Sequence, residues 1–164
     1  MIVNQKKKIK SSLGFSLIEL LVVVAILGIL SAVGITAYGG YISSTEKKAT
    51  SNLLQQISLA QTEEYSNSGA FYTQQNGECS PNATTSLQIE EDLLGRGGYT
   101  LEPGDKSQTA KDTGYEICIG ALTGTNNFEI RAMETNGQGG VKSVAQSCVI
   151  TLNRVGVSNE SDNC

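Results

Sequence analysis

The sequence contains no histidine. That removes the residue most often used as a general base and as a zinc ligand. No cysteine pair has the C-x-x-C spacing, and the Ser and Thr residues carry no nucleophile motif. The Gly95-Arg96-Gly97-Gly98 cluster lacks the spacing of a phosphate-binding loop. The acid runs Glu63-Glu64 and Glu90-Glu91-Asp92 read as solvated helix faces or caps rather than paired catalytic carboxylates. The sequence therefore predicts no enzyme, no metal and no cofactor. Basic residues are also scarce: 12 Lys and Arg stand against 16 Asp and Glu, and four of the 12 are Lys6, Lys7, Lys8 and Lys10. Beyond Gly14 the balance is 8 basic to 16 acidic, which takes the formal charge from −4 to −8. Such a surface repels phosphate backbones and argues against nucleic acid as a partner of the bulk surface. Proline is missing between residues 15 and 65, so nothing there forbids one long helix.

What the sequence does have is an apolar run. From Phe15 to Ile35 only Ser16, Glu19 and Ser31 are polar. These 21 residues suit a bilayer core of about 30 Å, which needs roughly 20 helical residues. The lysines before the run place the N-terminus in the cytoplasm and the rest outside. Glu19 is the exception in this stretch. A carboxylate at membrane depth costs at least about 2.5 kcal/mol, so it is a functional candidate that needs a partner, and none is evident in an isolated span. No small-residue cleavage site follows Ile35, as an ordinary secretory signal would require. A plain signal anchor with a tolerated acid is the competing reading.

The basic leader ending in Gly14, the following Phe15, Glu19 five residues into the remaining chain and the unbroken apolar helix together resemble the signal of type IV prepilins. The resemblance implies that a prepilin peptidase cuts between Gly14 and Phe15 and methylates the new amine of Phe15. It also implies that Glu19 sets subunit register by meeting the cationic N-terminus of a neighbouring subunit. The partners it implies are other pilin subunits, as a homopolymer or with minor pilins, the peptidase, and an inner-membrane platform with its ATPase. The chain would be a single-pass inner-membrane protein before assembly and part of an extracellular pilus afterwards. Adhesion, motility and DNA uptake are the filament roles open to it. A minor pilin, a tip adhesin or receptor and a type II secretion pseudopilin share the same N-terminal features. The absence of a convincing acidic calcium loop favours pilins over pseudopilins.

The expected fold is α+β: a long N-terminal helix, with a membrane-spanning first half and an amphipathic second half, packed on an antiparallel sheet of three to four strands. In the second half, beyond Ile42, an apolar stripe continues at Ala49, Leu53, Ile57 and Ala60, with Lys47, Lys48, Gln55, Gln56 and Glu63 off it. Gly34, Gly39 and Gly40 weaken the helix, and a bend or melting is expected near them. The family often has proline at the position of Thr36, so a proline kink is not carried over. Tyr38 and Tyr41 read as interfacial anchors, and Gly28 with Ala32 forms a small-xxx-small pair. Ser66 to Gly69 ends the helix.

Residues 70–112 read as a surface connection, with one short helix over Leu87–Leu94 and a strand near Tyr99–Glu102. Alternating strands follow at Tyr115–Ile119 and Phe128–Met133, joined by a turn at Gly124–Asn127, and then at Cys148–Leu152. The tail has no periodicity. All four cysteines lie beyond the apolar run and read as two disulfides, for which three connectivities exist. The pilin resemblance implies Cys148 with Cys164, and with it Cys79 with Cys118. The expected organisation is a leader at 1–14, the helix at 15–67 with its membrane or fibre-core part at 15–35, a variable loop at 68–112, and a disulfide-closed sheet region at 113–164.

Overall fold

The structure, a computed structural model, describes residues 14–96, 101–102, 104–122, 127–136, 140–156 and 158–164, without the side chain of residue 36. The leader lysines, Tyr99 and Thr100 of the expected strand, and Gly124 to Asn126 of the expected turn lie outside the described residues. The chain divides into two units, one ending at Tyr41 and one beginning at Ile42. Helix α1 (Leu17–Ser68) runs through both. It is helical without a break through Gly34, Gly39 and Gly40, so the expected melting is not seen. It stops where Gly69 takes a left-handed φ of 78° and its N–H returns to the Tyr65 carbonyl at 2.9 Å. Only glycine adopts that conformation without steric cost.

Within the second unit the buried face of α1 is Thr50, Leu53, Leu54, Ile57 and Gln61, while Ala49 and Ala60 are half-buried. Leu53 and Ile57 were legible as the stripe; its two polar members were not. Thr50 and Gln61 can be inward because each has its own hydrogen-bond partner. The Thr50 hydroxyl donates to the Glu46 carbonyl at 2.8 Å. The Gln61 amide donates to the Tyr72 carbonyl at 2.6 Å and accepts the Tyr72 N–H at 2.9 Å, fastening the segment after the helix as a paired strand would.

The sheet has five strands in the order β1 (Gln75–Asn76), β2 (Tyr115–Ala121), β3 (Phe128–Glu134), β4 (Val149–Asn153) and β5 (Ser158–Glu160). The meander β2 to β4 is antiparallel, with Ile117 opposite Ala132 and Ile130 opposite Leu152. Side chains alternate across a sheet, so Tyr115, Ile117, Ile119, Phe128, Ile130, Ile150 and Leu152 share one face. They form a single buried cluster with Leu53, Leu54 and Ile57 of α1. The α+β architecture is thus an amphipathic helix half covered by an antiparallel sheet, extended by two short edge strands that the sequence did not announce. The first, β1, is a two-residue parallel partner of β2. The second, β5, lies in the tail and is wholly exposed, so no alternation existed to be read. Its pairing follows from fixed neighbours: the Cys148–Cys164 bond, and Ser161, whose N–H donates to the Val149 carbonyl and whose hydroxyl accepts the Val149 N–H, each at 2.9 Å.

The segment expected as a surface connection is instead a cover for β2. Helix α2 spans Ala83–Gln88 and passes into a π-helical turn at Ile89–Leu93. It therefore starts four residues before the expected Leu87. The signal was Asn82, whose side chain accepts the Thr85 N–H at 3.0 Å while the Thr85 hydroxyl accepts the Asn82 N–H at 3.0 Å. This reciprocal cap fixes the start. A further helix, α3 (Gln108–Thr113), has no counterpart in the sequence reading. Ser107 caps it by accepting the Ala110 N–H at 2.9 Å, and Gly114 closes it with a φ of 77°. Leu101 and Glu102 do not form a strand.

Together these elements satisfy the outer edge of β2, which would otherwise present open backbone groups. Gln74 exchanges hydrogen bonds with Ile119, its N–H donating at 2.9 Å and its amide oxygen accepting at 3.1 Å. Ser86 accepts the Ile117 N–H at 2.8 Å, and the Thr85 hydroxyl donates to the Ile117 carbonyl at 2.7 Å. The opposite face of β2 is covered too. Glu116 is fully buried and accepts the Ser107 hydroxyl at 2.6 Å. Glu90 is also buried, and one oxygen accepts the Thr109 N–H at 2.5 Å while the other has no partner. Of the acid runs read as solvated helix faces or caps, Glu63 and Glu91 are exposed, and Glu90 is buried and accepts an N–H in the first turn of α3. A Cβ at Gly120 would run into the Gly77 carbonyl, so that site requires glycine.

The four cysteines are bonded as Cys79–Cys118 and Cys148–Cys164. The first ties the cover to β2 and closes a separation of 39 residues; the second ties the tail to β4 across 16. On the chain-entropy model these are worth about 4 and about 3 kcal/mol. The Lys47 ammonium donates to the main-chain oxygen of Cys164, joining α1 to the stapled tail.

Candidate assembly site

Among the described residues of the first unit none is buried. Between Leu20 and Leu30 the large apolar side chains are 48 to 69% exposed, and Phe15 is 87% exposed. The helix is long and apolar enough to cross a membrane, and none of its most apolar 18-residue window is buried. Surface of this kind persists only against lipid or other apolar helices. The glycines point the same way: a Cβ at Gly28, Gly34, Gly39 or Gly40 would meet nothing in this chain. Each costs up to about 1 kcal/mol of helix propensity against alanine, with no compensating contact within the subunit.

At its start the helix is fixed by Ser16 and Glu19, which sit at the N-cap and at the third helical position. The Glu19 carboxylate accepts the Ser16 N–H and the Ser16 hydroxyl, both at 2.8 Å, and the Ser16 oxygen accepts the Glu19 N–H at 3.3 Å. This is a capping box. It corrects the expectation that Glu19 has no partner in an isolated span, because the helix N-terminus itself supplies donors and a favourable dipole end. The sequence signal for this cap is the S-x-x-E pattern of Ser16-Leu17-Ile18-Glu19. Phe15, Ile18, Glu19, Val22 and Val23 line one shallow apolar groove. Gly14 is exposed immediately before Phe15, and a Cβ there would meet nothing. Further along, the Ser31 hydroxyl is satisfied by the Leu27 carbonyl at 2.7 Å.

Among the described residues of the second unit two phenols, Tyr72 and Tyr115, have titrations displaced upward. Burial, then the charges of Glu134, Glu46 and Glu160, push the Tyr115 phenol up to about 12. Among the described residues no cluster of His, Cys, Asp or Glu could hold a metal ion. The buried carboxylates Glu90 and Glu116 do structural work at the start of α3, and the cysteines are consumed in disulfides.

An uncovered apolar helix with one capped acid at its start, continuing into a disulfide-bonded α+β region, defines a class of α+β proteins that carry one long apolar helix. Comparisons with known proteins agree. The prokaryotic N-terminal methylation motif matches residues 9–35. The fimbrial protein EcpC of Eikenella corrodens is 30% identical over 139 residues, covering 82% of this chain and 89% of that protein. No solved structure is a significant match. The chain belongs to the type IV pilin family, whose members are structural subunits of fimbriae.

Proposed function

We propose that the chain is a structural subunit of a type IV pilus, made as a prepilin and held in the inner membrane with its N-terminus in the cytoplasm. A prepilin peptidase removes residues 1–14, cutting between Gly14 and Phe15, and methylates the amine of Phe15. Residues 15–67 then act as the assembly helix, with 15–35 first in lipid and later in the fibre core. Residues 68–112 and 113–164 form the exported domain. An inner-membrane platform and its ATPase drive the transfer into a filament of like subunits outside the cell. The chain has no enzymatic role in this account.

The observation that carries the reading is the conjunction of the methylation motif at residues 9–35 with a helix whose apolar side chains find no cover inside the subunit. Exchange of lipid for neighbouring helices costs little hydrophobic energy, so polar and packing contacts decide the arrangement. Glu19 is the one acid available in that region to fix axial register against the N-terminal amine of the next subunit. The likeness to a fimbrial protein favours a pilin over a secretion pseudopilin. The test is a shear preparation of surface filaments. A major pilin dominates that fraction, and a minor or tip subunit is present in small amount. Glu19→Val is expected to insert and be cut yet stay out of filaments that wild-type subunits build. Normal incorporation of that variant would remove Glu19 from the account.

A further inference from the structure

The second unit carries unmatched charge of opposite sign at the two ends of its part of α1. Among the described residues the ion pairs are Arg131 with Glu78 and Glu129, and Lys142 with Glu134. Lys106 and Lys111 have none, yet both line a hollow of about 420 Å³ with Glu46 and Glu134. Lys142 already neutralises Glu134, so two ammonium groups there stand against the single unpaired carboxylate of Glu46. Lys48 is exposed on the same turn of α1 as Glu46. Towards the other end of α1, Glu63 is exposed and Glu64 half-buried, and neither has an ion pair among the described residues. The last turn of α1 carries no base to offset them, and the carbonyl end of a helix disfavours negative charge. Gln61 fastens Tyr72, whose hydroxyl donates to Asp92 at 2.9 Å and so adds a third acid to that end. Along the unbroken helix about 26 Å separates Glu46 from Glu63.

We propose that the hollow at Lys106 and Lys111 is the docking site for the acidic end of α1, at Glu63 and Glu64, of a second copy of this chain. The proposal rests on the pilin reading above. Each end holds the charge that the other lacks, and complementary charge selects the partner and its register more than it adds raw affinity. Two different patches meet, so the contact is head to tail and extends when repeated instead of closing. An antiparallel pair of copies would also match the ends, but helices anchored in one membrane in one direction cannot form it. Two such copies at equal depth cannot form the contact either, because their lysine ends lie level with each other. It becomes available when one copy is displaced along the helix axis by about 26 Å, the spacing of the two patches. The device therefore favours association in a growing fibre over association in the bilayer.

The experiment makes the full chain as the sole copy in cells and reads the amount in sheared filaments against the amount held in the membrane. One variant carries Lys106→Glu with Lys111→Glu, a second carries Glu63→Lys with Glu64→Lys, and a third carries all four changes. Each of the first two is expected to lower the filament ratio about fivefold, the scale of one good exposed ion pair. The third is expected to return to within about twofold of wild type, because the opposed charges are restored with their places exchanged. The acid reversal puts cations near the carbonyl end of α1, so the urea transition of that variant in vesicles is expected to match or exceed wild type. A fall in filaments without a fall in stability is the mark of a docking surface. Unchanged filaments in either of the first two variants overturn the proposal while leaving the pilin reading intact. So does a loss in both that the fourfold variant fails to recover, whether or not the urea transition has moved. Absence of the wild-type chain from filaments overturns both.

Discussion

The two units treat the same kind of side chain in opposite ways. In the second, Leu54, Ile57, Ile117, Ile119, Ile130 and Ile150 are at most 1% exposed. In the first, every large apolar residue from Leu20 to Leu30 is about half exposed or more. One unit completes its core within the chain and locks it with two disulfides; the other has apolar surface whose cover must come from outside. Stability is therefore a property of the subunit in one case and of the assembly in the other. A mutation at an apolar site should be read differently according to which side of Ile42 it lies on.

The largest expected effect tests the locked side. Replacing Cys79 and Cys118 together by serine is expected to lower the unfolding free energy of the vesicle-anchored chain by about 4 kcal/mol, read by urea titration of tyrosine fluorescence. The chain has six tyrosines and no tryptophan to obscure them. Ile57→Ala is expected to cost about 3 kcal/mol by the same measurement, because Ile57 is completely buried between α1 and the sheet. Leu27→Ala in the first unit is expected to leave that transition within about 0.5 kcal/mol of wild type, as exposed sites do. A comparable loss for Leu27→Ala would break the contrast between the units.

Smaller effects sharpen it. Glu90→Ala removes the acceptor of the Thr109 N–H and is expected to cost about 2 kcal/mol, whereas Glu90→Gln keeps an acceptor oxygen and loses less. The last is an alkaline effect. The Tyr115 phenol titrates near 12 when folded and near 10 when unfolded, so the unfolded chain releases this proton first. Stability from this group is whole below pH 10 and declines as pH rises from 10 to 12. The Tyr72 phenol is displaced the same way, by burial and by its hydrogen bond to Asp92. Tyr115→Phe is expected to flatten part of that decline in a stability-against-pH profile, and an unchanged slope would contradict the assignment.

The parts of the fold that were legible in the sequence are those where periodicity and burial coincide. The alternation in Tyr115–Ile119 and Phe128–Met133, and the Leu53 and Ile57 stripe, each name a face that the structure buries. The parts that were not legible depend on side-chain hydrogen bonds. Thr50 and Gln61 carry no apolar signal, α3 is six residues long, and β5 is held by a disulfide and Ser161 rather than by an apolar face. At the assembly site, the unusual acid was visible from charge alone. Its clamp was not, because a serine inside an apolar run looks like noise until the helix start is placed at Leu17.

The central claim, that the leader is removed and the uncovered helix is then buried among copies of itself, is tested most directly by mass spectrometry of the N-terminal peptide of this protein recovered from sheared filaments. The account predicts a chain that begins at Phe15 and carries a methyl group on its amine. A chain that retains Met1 and stays in the membrane fraction would contradict it.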